Sequence, residues 1–141
     1  MPPFRSPRTP QRYRMKILLV DDNADYVRLL KDTLMSSGYD VETADDGLEG
    51  CEALTSPDID LIISDLRMPR LDGIKLHSFA RKTHRYRSTK FIFLSAFKDV
   101  FRGIPELNSE SDFFLDKTTE MIALVKLVDQ LLFGNFAGTW V

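Results

Sequence analysis

The sequence predicts a doubly wound α/β domain, a five-stranded parallel sheet with helices on both faces. Short apolar runs alternate with segments of helical period from Lys16 to Leu132. Runs such as Ile17-Leu18-Leu19-Val20 and Phe91-Ile92-Phe93-Leu94 lack polar alternation, as suits strands covered on both faces. No repeat at a solenoid period competes with this pattern.

Taken in order, Ile17 to Val20 form the first strand. Val27, Leu30 and Leu34 then share one face of a helix over 24–37, with Gly38 placed to cap it. Tyr39 to Thr43 alternate as an edge strand does, and Leu48 to Leu54 read as a short helix whose Gly50, Cys51 and Ala53 permit close packing. Leu61-Ile62-Ile63 is the third strand, Leu76, Phe79 and Ala80 mark the third helix, and Phe91 to Leu94 make the fourth strand. A fourth helix belongs in 97–109, where Gly103 and Pro105 predict a short or broken one, since proline removes a donor and clashes with the preceding turn. Phe113-Phe114-Leu115 is the fifth strand. A final helix carries Met121, Leu124, Val125, Val128 and Leu132 on one stripe.

With 141 residues and 43% apolar composition, the chain suffices for one core. Residues 1–15 hold Pro2, Pro3, Pro7 and Pro10 beside Arg5, Arg8, Arg12 and Arg14, and read as a disordered basic tail or a docking arm for an acidic partner. The domain then spans 16–133, and 134–141 is a short extension in which Phe136 and Trp140 pack back or meet a partner. Setting the four tail arginines aside leaves 15 of the 19 basic residues against 21 acidic ones, so the domain is acidic and no nucleic-acid partner is expected. The single cysteine, Cys51, excludes an internal disulfide, and no Cys/His cluster has zinc-site spacing. No apolar run spans a bilayer and no secretory signal opens the chain, so the expectation is a cytoplasmic protein without a membrane partner.

Open parallel sheets bind ligands beyond the carboxyl ends of their strands. Asp21-Asp22 follow the first strand, Ser64-Asp65 the third, Ser95-Ala96 the fourth and Asp116-Lys117 the fifth. Singly, each has an ordinary explanation: Asp22 or Ser95 as a helix cap, Lys117 as a surface lysine. Together, three carboxylates on one edge repel one another, and a hard cation with oxygen ligands relieves that repulsion.

The stretches KILLVDDNAD, LIISDLRMPRLDG, FIFLSA and DFFLDK resemble the signature segments of response-regulator receiver domains, in order and spacing, over about residues 15–133. The resemblance is to the stand-alone, single-domain type. It implies the flavodoxin-like strand order 2-1-3-4-5, with Asp65 as phosphoacceptor and Asp21 and Asp22 as the acidic pair that places Mg2+ or Mn2+. It further implies the Arg67 backbone carbonyl as a metal ligand, Ser95 and Lys117 as contacts of the bound phosphoryl group, and Phe114 as the aromatic switch. The implied partners are a histidine kinase or phosphotransfer protein, and a downstream protein or a second, phosphorylation-dependent copy of the chain meeting the face around Phe97, Phe101 and Phe114. A signalling receiver that promotes its own phosphorylation and dephosphorylation is expected, rather than an enzyme.

Two departures from the family pattern stand out. Thr118 follows Lys117 where proline is usual, often through a cis bond; before a non-proline residue that geometry costs about 3 kcal/mol, so the loop is either trans or strained. Phe114 replaces the commoner tyrosine and offers no phenolic hydroxyl. Arg67 and Phe97 hold positions whose side chains overhang the site in this family, a bulky pair that predicts slow autodephosphorylation. His77 and His84, near the third helix, read as surface histidines. The competing readings are a phosphorylation-independent pseudo-receiver serving as a protein-binding module, and a phosphatase of the haloacid-dehalogenase type. The phosphatase lacks support because Asp21-Asp22-Asn23 has no Asp-x-Asp spacing.

Overall fold

A computed structural model describes residues 14–68, 70–95 and 107–134. Five parallel strands, β1 (Lys16–Val20), β2 (Asp40–Ala44), β3 (Leu61–Asp65), β4 (Lys90–Ser95) and β5 (Asp112–Asp116), lie in the order β2-β1-β3-β4-β5. Four α-helices accompany them among the described residues: α1 (Ala24–Ser36), α2 (Gly47–Ala53), α3 (Gly73–Lys82) and α4 (Met121–Phe133), with a 3-10 turn at His84–Tyr86. Residues 97–106, most of the segment expected to hold an irregular helix, lie outside the described residues, as do Phe97 and Phe101.

Strand side chains alternate between two faces, and each face has its own core. Leu18, Val20, Ile62, Phe91 and Phe93 pack with Leu54, Leu76, Ala80 and Tyr86. On the other face Ile17, Leu19, Leu61, Ile63, Ile92 and Leu94 meet Leu30 and Leu34 of α1 and Leu124 and Val128 of α4. The central strands β1, β3 and β4 are therefore buried almost throughout, while the outer strands β2 and β5 are mostly half-buried.

Local chemistry sets the boundaries. Asn23 caps α1, accepting from the Tyr26 N–H, and Asp46 and Asp72 cap α2 and α3 in the same way. Past the end of α1, Gly38 adopts φ +100°, where a side chain would be strained. The expected close packing of α2 is real at Gly50, where a Cβ would come within 3.1 Å of Leu76.

Two expectations for α3 are corrected. Phe79 is exposed, whereas His77 is 1% exposed. The helix buries Gly73, Leu76, His77 and Ala80, the i, i+3, i+4, i+7 stripe on which Phe79 does not fall. His77 Nε2 lies 2.9 Å from Asp112 Oδ1 at the start of β5. Its ring packs edge-on to Phe91 at 5.0 Å. The same Asp112 oxygen accepts from Arg81 Nη2 at 2.5 Å, and Oδ2 accepts from the Asn108 N–H. A buried polar group persists only with such partners, so His77 here is a tether between α3 and the edge of the sheet.

Candidate functional site

The carboxyl ends of β1, β3, β4 and β5 meet at one rim. Asp21 follows β1 directly, its N–H donating to the Ala44 carbonyl, and Asp65 is the last residue of β3. Register pairs Asp65 with Leu94 and Ser95 with Asp116, which brings the ends of β4 and β5 level with Asp65. Asp21 and Asp65 are buried, as is Ser95, and Asp22 is exposed at the mouth.

Carboxylate oxygens of Asp21, Asp22 and Asp65 lie within 4.8 Å of one another. Lys117 answers part of that charge: its Nζ is 2.8 Å from Asp21 Oδ2 and 3.2 Å from Asp65 Oδ2. The Asp21 contact is ionic and undirected, since Oδ2 is buried and accepts no well-formed hydrogen bond, while Oδ1 is taken by the Asn23 N–H at 2.9 Å. A buried carboxylate oxygen left in this state suits a cation, and three carboxylates form the hard oxygen donor set that Mg2+ or Mn2+ prefers.

Burial, then the neighbouring Asp21 charge, pushes the Asp65 carboxyl above the ordinary carboxylate value, against the opposing pull of Lys117. Burial acts to lower Lys117, but the close carboxylates of Asp21 and Asp65 outweigh it, so its proton is held more firmly than usual. The Arg67 N–H reaches Asp65 Oδ1 at 3.4 Å, a long bond, and the Arg67 side chain is exposed.

The loop after β5 resolves the question raised by Thr118. No peptide bond among the described residues is cis. Instead, Asp116 Oδ1 accepts from both the Thr118 N–H at 2.8 Å and its hydroxyl at 2.7 Å, and the Lys117 N–H donates to the Ser95 carbonyl at 2.8 Å. These bonds hold the Lys117 backbone beside the site without a proline. Phe114 lies half-buried with its ring stacked on Phe93 at 4.9 Å.

Two further residues shape the site and were not singled out from the sequence. Gly73 opens α3 so close to β3 that a Cβ would stand 2.3 Å from the Asp65 carbonyl oxygen. Tyr26, in the first turn of α1, sets its ring 4.9 Å from Lys117 Nζ. The glycine was legible as the end of LIISDLRMPRLDG; the tyrosine carried no signal beyond standing one helical turn past Asp22.

A 2-1-3-4-5 parallel sheet with an acidic cluster and a lysine at its switch point defines a class of strand-end ligand-binding modules. The family model described as response regulator receiver domain matches residues 17–129. The chain belongs to that family, whose members are receivers of two-component signalling. It is similar to the transcriptional regulatory protein GlrR of Escherichia coli, 34% identical over 116 residues that cover 82% of this chain and 26% of the relative. It is similar also to the response regulator ArlR of Staphylococcus aureus, 29% identical over 83% of this chain and 52% of the relative. The chain thus spans about a quarter to a half of these relatives' length.

Among solved structures, the signal receiver domain of a signal transduction histidine kinase from Syntrophus aciditrophicus superposes with a TM-score of 0.75 at 31% identity, covering 85% of this chain and 91% of that one. The receiver domain of a sensor histidine kinase from Pseudomonas aeruginosa, with a magnesium ion coordinated in its active-site cleft, has a TM-score of 0.72 at 26% identity, covering 84% of this chain and 98% of that one. No helix among the described residues is long and apolar enough to cross a membrane.

Proposed function

We propose that this chain is a phosphorylation-dependent receiver that takes a phosphoryl group onto Asp65 from a phosphohistidine of a histidine kinase or phosphotransfer protein. The observation that carries the reading is the convergence of Asp21, Asp22, Asp65 and Lys117 at the rim. An Asp65 carboxylate oxygen bonds to phosphorus as the bond from phosphorus to the donor imidazole nitrogen breaks, and the freed imidazole takes a proton from water. Hydrolysis later returns the carboxylate and inorganic phosphate.

Asp21, Asp22, Asp65 and the Arg67 carbonyl are the residues that would hold Mg2+ or Mn2+, which when bound neutralises charge on the transferring oxygens. Lys117 supplies a positive charge beside Asp65, and the Ser95 hydroxyl donates to the bound phosphoryl group. A carboxylate is a weak nucleophile, so alignment and charge carry the reaction. The modification adds roughly one to two negative charges, which draws Ser95 inward and lets Phe114 shift against Phe93, altering the β4–β5 face that meets a downstream protein or a second copy of the chain. On this reading residues 16–133 form the receiver unit, flanked by 1–15 and 134–141, and it acts in the cytoplasm.

Intact-mass measurement after incubation with a small acyl phosphate and Mg2+ tests the proposal. The expected result is the gain of one phosphoryl group, absent in Asp65→Asn and in a chelated control. No gain from that donor or from a kinase would leave the phosphorylation-independent binding module as the better reading.

A further inference from the structure

Lys117 ends in a charge carried by a flexible stem, and three described groups surround it: Asp21 Oδ2, Asp65 Oδ2 and the ring of Tyr26 at 4.9 Å. Two of the three are carboxylates assigned above to the metal. Once a divalent cation draws on them, they hold the ammonium less tightly. The ring alone of the three is outside the metal set.

The ring is itself well anchored. Tyr26 donates its N–H to Asn23 Oδ1 at 3.1 Å, Val27 donates to the Asn23 carbonyl at 3.0 Å, and Asn23 in turn donates to Asp21 Oδ1 at 2.9 Å. Its side chain packs on the core that α1 and α4 share. The cap of α1 therefore fixes the ring relative to Asp21, and a centroid distance under about 6 Å lies within reach of a cation–π attraction. Burial, with the Asp21 and Asp65 charges adding to it against Lys117, pushes the phenol up to about 12, so the ring stays neutral at physiological pH.

We propose that Tyr26 is a positioning residue for Lys117: its ring retains the ammonium at the strand ends when the carboxylates are engaged, keeping it directed at the phosphoryl oxygens. The residue that follows the lysine makes this necessary. The turn made by Asp116 and Thr118 fixes the Lys117 backbone, but nothing in that turn restrains the side chain's head. The hydroxyl of Tyr26 has no part in the role, so phenylalanine should serve and leucine should not.

The proposal rests on Asp65 as acceptor, and two measurements separate the two claims. The first is the proton spectrum of the full chain without a phosphodonor. The Lys117 ε-methylene protons should be displaced upfield by the ring and remain so when Mg2+ is added; loss of the displacement on adding Mg2+ would overturn the proposal. The second is the rate of phosphorylation by a small acyl phosphate at saturating Mg2+. Tyr26→Phe should match wild type and Tyr26→Leu should be slower by about five-fold, with Mg2+ affinity unchanged in both. A Tyr26→Leu rate equal to wild type would reject the role while leaving Asp65 as acceptor. Failure of wild type itself to gain a phosphoryl group, with the displacement intact, would remove the acceptor reading and the positioning role with it.

Discussion

The Lys117 ammonium stands 2.8 Å from Asp21 Oδ2, an oxygen that is buried and has no directed hydrogen bond. The lysine balances the same carboxylates that would hold a divalent cation, so the two positive charges compete for them. Lys117→Met should tighten Mg2+ binding by about tenfold, a fraction of the attraction between close charges at a partly exposed site. Isothermal titration with Mg2+ measures this directly. Weaker binding would mean that the lysine orients the carboxylates instead of opposing the metal.

Asp65 has the opposite character. Burial and the Asp21 charge raise its carboxyl above the unfolded value, so the fold favours its protonated form. That contribution to stability is complete below the ordinary carboxylate range and is lost as pH rises through the raised value. At neutral pH the charged carboxylate is a liability. Asp65→Asn should raise the melting temperature of the metal-free protein by about 3 °C at pH 7, with the advantage shrinking as the pH falls through the raised value of Asp65 toward the ordinary carboxylate range and changing no further below it. Added Mg2+ should raise the wild-type value more than the variant's. Thermal scans across pH check both.

At Gly73 the prediction is steric. A methyl group there meets the Asp65 carbonyl at 2.3 Å, and backbone cannot step aside as a flexible side chain can. Gly73→Ala should cost about 2 kcal/mol in denaturant unfolding and, on the proposed function, slow phosphorylation by displacing the Asp65 peptide group.

The buried trio of His77, Arg81 and Asp112 sets a separate test, remote from the rim. Asp112→Asn leaves Arg81 without its carboxylate at a side chain only 9% exposed, and breaking such a pair costs about 3 kcal/mol. Urea unfolding measures the loss. Phosphorylation of the folded fraction should be little changed, which distinguishes a tether from a part of the site.

Arg67→Ala bears on the phosphoryl lifetime. Arg67 is exposed two residues beyond Asp65, and on the proposed function truncating its side chain should open Asp65 to water and shorten the lifetime measured by decay of the intact-mass adduct. An unchanged lifetime would assign the control of hydrolysis elsewhere.

How much of this was legible in the sequence depended on whether the signal was local. The strands followed from apolar runs, their order from the resemblance to receiver domains, and the rim followed because Asp21, Asp22, Asp65 and Lys117 each sit at or just past the carboxyl end of a strand. His77 was misread because a histidine usually marks surface, and because Phe79 offered an apolar alternative for the buried stripe. Its partner Asp112 lies 35 residues away, a pairing that no periodicity reveals. Tyr26 was invisible for a related reason: a helix's first turn is ordinarily solvated, and only the approach of the β5 loop gives its ring a cation to face. The absence of proline after Lys117 was visible, but the remedy, an Asp116 side chain bonding Thr118 twice, needed the backbone.

The edge strand β5 has one more consequence. Its middle, Phe113-Phe114-Leu115, is an apolar, strand-prone run at the exposed border of the sheet, the kind of segment that invites a second chain to pair with it. Asp112 and Asp116 bracket the run. In the folded protein these aspartates are occupied, one by His77 and Arg81 and the other by Thr118. In a chain still emerging from synthesis they are free charges that repel a like segment, so the residues that finish the architecture also guard an edge strand against aggregation before the architecture exists.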